Sequence, residues 1–241
     1  MYVFMLRRRF VPLSDGYNMG QFRLTGNKLH SYEQTLRIPM FVRGPGIQPG
    51  TVLSIPGSNT DFAPTWLALA GVSNSHMDGS SFASHLLSSA EPKSRQQRLH
   101  RRDSTDGGTA ADGTNTWRDF HYSEYNSLGN LWRGGGEIMH GDHLIDDPVS
   151  HTFRAVRFVN SKEHGNALYC EYTSLIDWNY KNYSSASGVL DPHSYKFYEL
   201  FNLDADPWQL TNIYHNATAL VKRKLHTLVA SEFRCSGATC T

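Results

Sequence analysis

Apolar positions along the chain come in short bursts separated by glycine and proline, and the spacing within each burst differs. Leu36-Arg-Ile-Pro-Met-Phe-Val-Arg43 is dense in apolar residues and reads as a strand, halted by the turn Gly44-Pro45-Gly46. Asn59 to Gly71 carries Phe62, Trp66, Leu67 and Leu69 and reads as a short, broadly apolar helix packed on a sheet. Thr60 or Asp61 caps its start, Pro64 fits its first turn, and Gly71 supplies a left-handed stop. Phe153 to Val159 and Ala167 to Tyr172 read as paired antiparallel strands. Lys196 to Phe201 is a further strand, ending in the proline turn Asp204-Ala-Asp-Pro207. Near the end, Leu220, Val221, Leu225, Leu228, Val229 and Phe233 recur at helical spacing, with Lys222, Arg223 and Lys224 on the outer face.

Between these halves the composition changes. Ser88 to Asn115 is almost free of apolar residues, with a basic run Arg95–Arg102 and a Gly/Thr-rich stretch Asp103–Asn115. Such a segment cannot bury enough surface to fold by itself and reads as a linker or insertion. The expected organisation is therefore residues 1–88 as part of an α/β domain, 89–116 as linker, and 117–241 as a small α+β subdomain. No internal repeat is visible.

The N-terminus is reversed relative to a secretory signal, which places charge before its apolar core. Tyr2 to Leu6 come first and Arg7, Arg8 and Arg9 follow. That order predicts a buried strand Tyr2–Met5 with a basic loop behind it, and a chain that starts inside a larger protein.

Charge sharpens the exclusions. Lys plus Arg total 23 against 22 Asp plus Glu, a net charge of +1, which argues against a dedicated nucleic-acid binder. No apolar run approaches the roughly 20 residues of a membrane-spanning helix. The three cysteines, Cys170, Cys235 and Cys240, are too few for a disulfide scaffold. Cys235 and Cys240 flank Ser-Gly-Ala-Thr and are read either as a local disulfide or as two free thiols. The sequons at Asn182 and Asn216 lean towards an oxidising, secretory-pathway setting. His140-Gly-Asp-His-Leu-Ile-Asp-Asp147 carries ligand-type side chains, but it lies between a triple glycine and Pro148 and reads first as a solvated loop.

The chain carries no Walker loop, GxGxxG, GxSxG or HExxH motif. Its informative stretch is Ser14-Asp15-Gly16-Tyr17, then Gly20-Gln21, Lys28, Tyr32-Glu33, Arg37-Ile38-Pro39 and Arg43-Gly44-Pro45-Gly46. Asp61-Phe-Ala-Pro-Thr65 to Leu69-Ala-Gly71, Met77-Asp-Gly-Ser-Ser81, Phe197-Tyr-Glu-Leu-Phe-Asn-Leu-Asp-Ala-Asp-Pro207 and Leu210-Thr-Asn-Ile213 follow in order. This ordered set resembles the sulfatases of the alkaline-phosphatase superfamily, in the N-acetylglucosamine-6-sulfatase and arylsulfatase branch. The resemblance implies the C-terminal part of an α/β sulfatase domain, followed by a small antiparallel sheet with a helix.

The resemblance further implies a calcium ion held by hard oxygen ligands, with Asp15 as one of them, and sulfate held by Lys28. It implies hydrolysis of the sulfate ester of a sugar, such as a glycosaminoglycan, or of an aryl sulfate, in a lysosomal or extracellular enzyme. The family nucleophile is a formylglycine made from Cys or Ser in Cys/Ser-x-Pro-x-Arg, which none of this chain's cysteines matches. Two further positions depart from the pattern: Asp15 runs directly into Gly16, without the second ligand, and Asn18 stands where the family has histidine. The polypeptide is therefore expected to be inactive alone. A non-catalytic relative that binds sulfated glycans through Arg95–Arg102 and Lys28, and a phosphate-ester hydrolase of the same superfamily, are the alternative readings.

Overall fold

Alternation in the C-terminal half produces the main sheet. The computed structural model describes residues 9–12, 16–24, 30–72, 76–87, 117–125, 152–173 and 195–240. In it β3 (Phe120–Tyr125), β4 (Phe153–Ser161), β5 (Gly165–Thr173) and β6 (Tyr195–Asn202) form one sheet in the order β3-β4-β5-β6. β4 pairs antiparallel with β5, and β5 with β6, so that Val156 lies opposite Tyr169 and Tyr169 opposite Leu200. Gly165 takes the left-handed conformation at the tight β4–β5 turn, where a side chain is strained.

Successive residues point to opposite faces, and here both faces are buried. One face gathers Phe153, Ala155, Leu168, Cys170 and Phe201 into a core, with Tyr32 and Leu36 packed on it. Tyr169 and Glu171 lie on the other face, where His226 of the C-terminal helix α4 (Ala219–Arg234) hydrogen-bonds Glu171. Leu225 and Val229 of that helix are fully buried, as the helical spacing predicts, whereas Leu220 is exposed. Thr218 starts the helix, its Oγ1 accepting from the Val221 amide at 3.3 Å.

The earlier residues form a second, smaller construction. β1 (Arg9–Pro12) pairs antiparallel with β2 (Met40–Arg43), Pro12 opposite Met40. Helix α2 (Phe62–Ala70) ends, as expected, on left-handed Gly71. With α3 (Ala83–Leu86) it builds a core of Ala68, Leu69, Phe82, Ala83, Leu86 and Leu87.

The described chain falls into two compact units. One comprises residues 1–14, 39–121 and 231–241, and the other 15–38 and 122–230.

Three expectations need correction. The strand expected from Leu36 begins only at Met40, because Glu33–Leu36 forms a helical turn, α1, and Pro39 ends it. A strand at Arg9–Pro12, beginning at the last arginine of the expected basic loop Arg7–Arg9, was not expected; Phe10 and Val11 are β-favouring residue types, and the backbone pairs with β2. The proposed strand Tyr2–Met5 lies outside the described residues. Asp61 makes no side-chain cap to helix α2. The carboxylate turns back to Ser58 and closes a capping box on the preceding 3-10 turn Asn59–Asp61.

Candidate functional site

The motif that points to chemistry begins at a crowded turn. The Gly16 amide donates to the Thr35 carbonyl at 3.1 Å. A Cβ on Gly16 would sit 2.1 Å from the Gln34 carbonyl oxygen, so the close approach requires glycine. Asn18 is fully buried beside it and accepts from Gln34 Nε2 at 3.3 Å, while its own Nδ2 has no hydrogen-bond partner. Thr35 Oγ1 is likewise buried and unpartnered. Asp15 and Lys28, the expected metal and sulfate residues, lie outside the described residues, as do Asn182, the Arg95–Arg102 run and the His140–Asp147 cluster.

The Tyr32-Glu33 pair of the motif is positional. Tyr32 Oη donates to Glu199 of β6 at 3.1 Å. Arg157 of β4 forks onto the Glu33 carboxylate, Nε at 2.6 Å and Nη2 at 3.3 Å, and the Glu33 amide donates to Gln209 Oε1 at 2.8 Å. Helix α1, on which Gly16 rests, is thereby tied to β4, β6 and the loop after β6. Sequence reasoning missed Arg157 and Gln209. Arg157 was visible as a charge amid the apolar residues of β4. Gln209 carried no signal, because it turns inward through a left-handed backbone, φ 57°, between exposed Trp208 and Leu210.

Two carboxylates of the sheet are strongly buried. Burial raises Glu199 above the ordinary carboxylate range, and hydrogen bonds from Tyr32 and Tyr172 oppose that rise. Glu171 Oε1 accepts from Tyr169 Oη at 2.7 Å and lies 2.8 Å from His226 Nδ1. Burial and this carboxylate together push the Tyr169 phenol up. Cys170, fully buried, is raised by desolvation and is an inert thiol.

In the other unit Asp61 is the organising group. Fully buried, it accepts from the Ser58 amide at 2.6 Å, from the Ser80 amide at 2.9 Å and from the Arg118 guanidinium. Gly79 must be glycine here, since a Cβ would lie 2.1 Å from the Thr60 carbonyl oxygen. Burial, helped by the Arg118 charge and opposed by Asp61, lowers His121 to about 4. Its imidazole is neutral at ordinary pH. With three donors, Asp61 is neither a free base nor an open metal ligand. Nearby, Cys235 and Cys240 are joined as a disulfide, and the Gly237 amide inside that loop donates to Asp78 Oδ1 at 2.6 Å.

Among the described residues no group of three or more His, Cys, Asp or Glu is arranged to hold a metal ion. The described side chains do not amount to a cation site.

Comparison with known proteins supplies what geometry leaves open. The family model described as N-sulphoglucosamine sulphohydrolase, C-terminal, matches residues 20–102. The N-acetylglucosamine-6-sulfatase of Bos taurus is 28% identical over 242 aligned residues, covering 96% of this chain and 35% of that protein. The chain resembles the C-terminal portion of sulfatases. An extracellular sulfatase SULF-1 homolog of Drosophila melanogaster is 45% identical over 74 residues, 30% of this chain and 7% of that protein. A solved structure described as a complex with its substrate, D-glucosamine-2-N,6-O-disulfate, superposes with a TM-score of 0.58 at 21% identity. It covers 92% of this chain and 33% of that one. This sulfatase-like chain thus spans about a third of the length of the curated relatives it matches. The shared architecture is an α/β portion followed by an antiparallel sheet with a helix.

Proposed function

We propose that the chain is the C-terminal portion of a sulfuric ester hydrolase that removes sulfate from a sugar, such as a glycosaminoglycan unit. The observation that carries this reading is the alignment with N-acetylglucosamine-6-sulfatase along 96% of the chain. The solved relative described with a glucosamine disulfate favours a sulfated sugar over a simple aryl ester. Within this reading Lys28, inside the family-model match, contacts the sulfate, and Asp15 is one ligand of a calcium ion. A formylglycine is expected to come from outside these residues and supplies the nucleophile that attacks sulfur. Residues 1–88 would then belong to the catalytic α/β domain and 117–241 to the small subdomain, with 89–116 between them.

The same reading places the protein in a lysosome or outside the cell. The Cys235–Cys240 disulfide supports an oxidising compartment, and Asn216, exposed just before α4, is available for a glycan; Asn182 is proposed likewise. No helix of the described residues is long and apolar enough to cross a membrane.

Calorimetric titration and a turnover assay test the proposal together. The isolated chain is expected to bind glucosamine 6-sulfate more tightly than glucosamine, to lose that preference in Lys28→Ala, and to release no sulfate. Equal binding of the two sugars would overturn the site assignment. Sulfate release by the isolated chain would overturn the assignment of the nucleophile to residues outside it.

A further inference from the structure

Three consecutive cations, Lys222, Arg223 and Lys224, lie in the first half of helix α4, away from its buried seam. Leu225 and Val229 anchor the helix and are fully buried, and Arg223, about 200° round the helix from Leu225, is exposed. Arg223 has no ion-pair partner among the described residues. The ammonium of Lys222 lies over the Tyr214 ring, 4.7 Å from its centroid, and donates to the His215 carbonyl at 3.4 Å. Lys224 Nζ is 2.6 Å from Glu163 in the turn between β4 and β5, where Lys162 is also exposed. Asp204, at the same turn, is already held by the Asn166 amide and Nδ2.

Helix stability does not account for this arrangement. Acids are favoured near a helix N-terminus, yet the first turn of α4 carries none and Lys222 closes it. From Thr218 to Leu228 no carboxylate stands three or four residues from any of the three cations, so no pairing along the helix offsets their repulsion. The single acid of α4, Glu232, is buried. The whole chain carries a net charge of only +1, so the excess belongs to this surface and not to the composition. Lys224 and Glu163 are each about half exposed, so water screens their attraction and an incoming anion can take the place of the carboxylate.

We propose that Lys222, Arg223 and Lys224, with Lys162 on the neighbouring turn, form an auxiliary surface that binds a linear sulfated polysaccharide. Arg223 takes a sulfate group through its planar fork, and the lysines act as point charges on either side of it. The inference rests on the sulfatase reading and extends it from one sulfated sugar to the polymer that carries many. A surface that retains the polymer raises the effective concentration of its remaining units for hydrolysis.

Calorimetric titration of the full 241-residue chain with a heparin octasaccharide, at several salt concentrations, tests the proposal. Affinity should fall as salt rises, and each cation removed should make the logarithmic salt slope shallower by about one. Arg223→Gln should weaken binding about threefold, and the triple change Lys222→Gln, Arg223→Gln, Lys224→Gln about tenfold or more. Glutamine is as good a helix former as the residues it replaces, and circular dichroism of each variant checks that α4 is kept. Glu163→Gln releases Lys224 and should tighten binding about twofold, a gain that lost folding cannot imitate. Octasaccharide affinity unchanged in the triple variant would overturn the proposal. So would binding that survives the triple change but is lost on replacing Arg101 and Arg102, because the contact would then lie on the other basic run. Duplex DNA held as tightly as the octasaccharide at equal salt would overturn the choice of a polysaccharide. Failure of the sulfatase reading looks different: glucosamine 6-sulfate and glucosamine bind equally with Lys28 intact, while the triple variant still loses the octasaccharide.

Discussion

The two units bury charge in opposite ways. In the unit containing α2, the Asp61 carboxylate is saturated: two backbone amides and a guanidinium point at it, and the nearby imidazole of His121 is kept neutral. In the sheet unit, Glu199 and Glu171 each receive donors on one oxygen while Oε2 has no partner, and burial raises Glu199. Their apolar surfaces differ in the reverse sense. The sheet buries side chains on both faces, with Phe197 of β6 half-exposed, whereas β2 leaves Phe41 mostly in solvent and α2 leaves Trp66 half-exposed. The lesson is that a local polar network can be complete in a unit whose hydrophobic packing is not. The network needs only three donors, drawn from Ser58, Ser80 and Arg118, while packing requires a whole neighbouring layer.

This contrast can be broken most severely at Asp61. Asp61→Ala should cost the α2 unit about 3–5 kcal/mol, since it leaves the Arg118 charge and two amides buried without a partner. Urea unfolding read by unit-specific hydrogen exchange would show it, and Asp61→Asn should be milder. An unchanged midpoint for Asp61→Ala would mean that the network contributes nothing.

Acid provides the next test. The folded unit holds His121 at about 4, against roughly 6.5 in an unfolded chain. The unfolded form therefore takes up the proton first as pH falls. Stability of the α2 unit is fully present above about 6.5 and is lost towards 4, by up to about 3 kcal/mol. A His121→Gln variant should flatten that profile in thermal melts between those limits.

The glycine contacts give a matched pair, one in each unit. Gly79→Ala and Gly16→Ala each place a methyl 2.1 Å from a backbone oxygen, where nothing flexible can yield. Each should cost about 1–3 kcal/mol, as overpacking does. Gly79→Ala should also open the Ser80–Asp61 bond, and Gly16→Ala the bond to Thr35, seen as faster exchange at the Ser80 and Gly16 amides.

Reducing the Cys235–Cys240 bridge is a smaller change, about 2 kcal/mol for so short a loop. It should be read most clearly as faster exchange of the Gly237 amide from its bond to Asp78.

The smallest effect is expected at Glu199, with the opposite sign to His121. Because its folded pKa is raised, the stability linked to it is greatest in acid and is lost as pH rises through that value. Glu199→Gln should remove this dependence and slightly stabilise the sheet unit near neutrality. Melts of single variants at pH 5 and 7 would separate the two slopes.

Much of the sheet was legible. β4, β5 and β6 follow the predicted runs closely because their alternation is strong and their turns carry Gly165 and Asp204. β3 was not expected: Phe120-His-Tyr-Ser-Glu-Tyr125 mixes polar and aromatic positions on both faces, so no apolar period stands out. α1 was not legible because Glu33-Gln-Thr-Leu36 is a single, mostly polar turn that only touches the apolar run from Leu36, and only Pro39 marked where extended backbone could begin. Of the candidate site, the motif order was legible, together with the glycine that its turn demands. The residues that hold that turn in place were not, because Arg157 and Gln209 lie over a hundred positions away along the chain.

Local chemistry in the sequence determined a great deal about this protein. Glycine at 71, proline at 39, and the apolar periods of β4 to β6 and α4 all act within a few residues, and the sulfatase-like motif order is read directly along the chain. Tertiary structure alone decided three things. Asp61 became a shared acceptor and not a helix cap; Tyr32 and Glu33 became anchors to the sheet; and Phe41 and Trp66 were left outside a finished core. The physical reason is common to all three. A hydrogen-bond partner or a covering layer is a property of what lies across space, and burial depends on neighbours that the local pattern does not name.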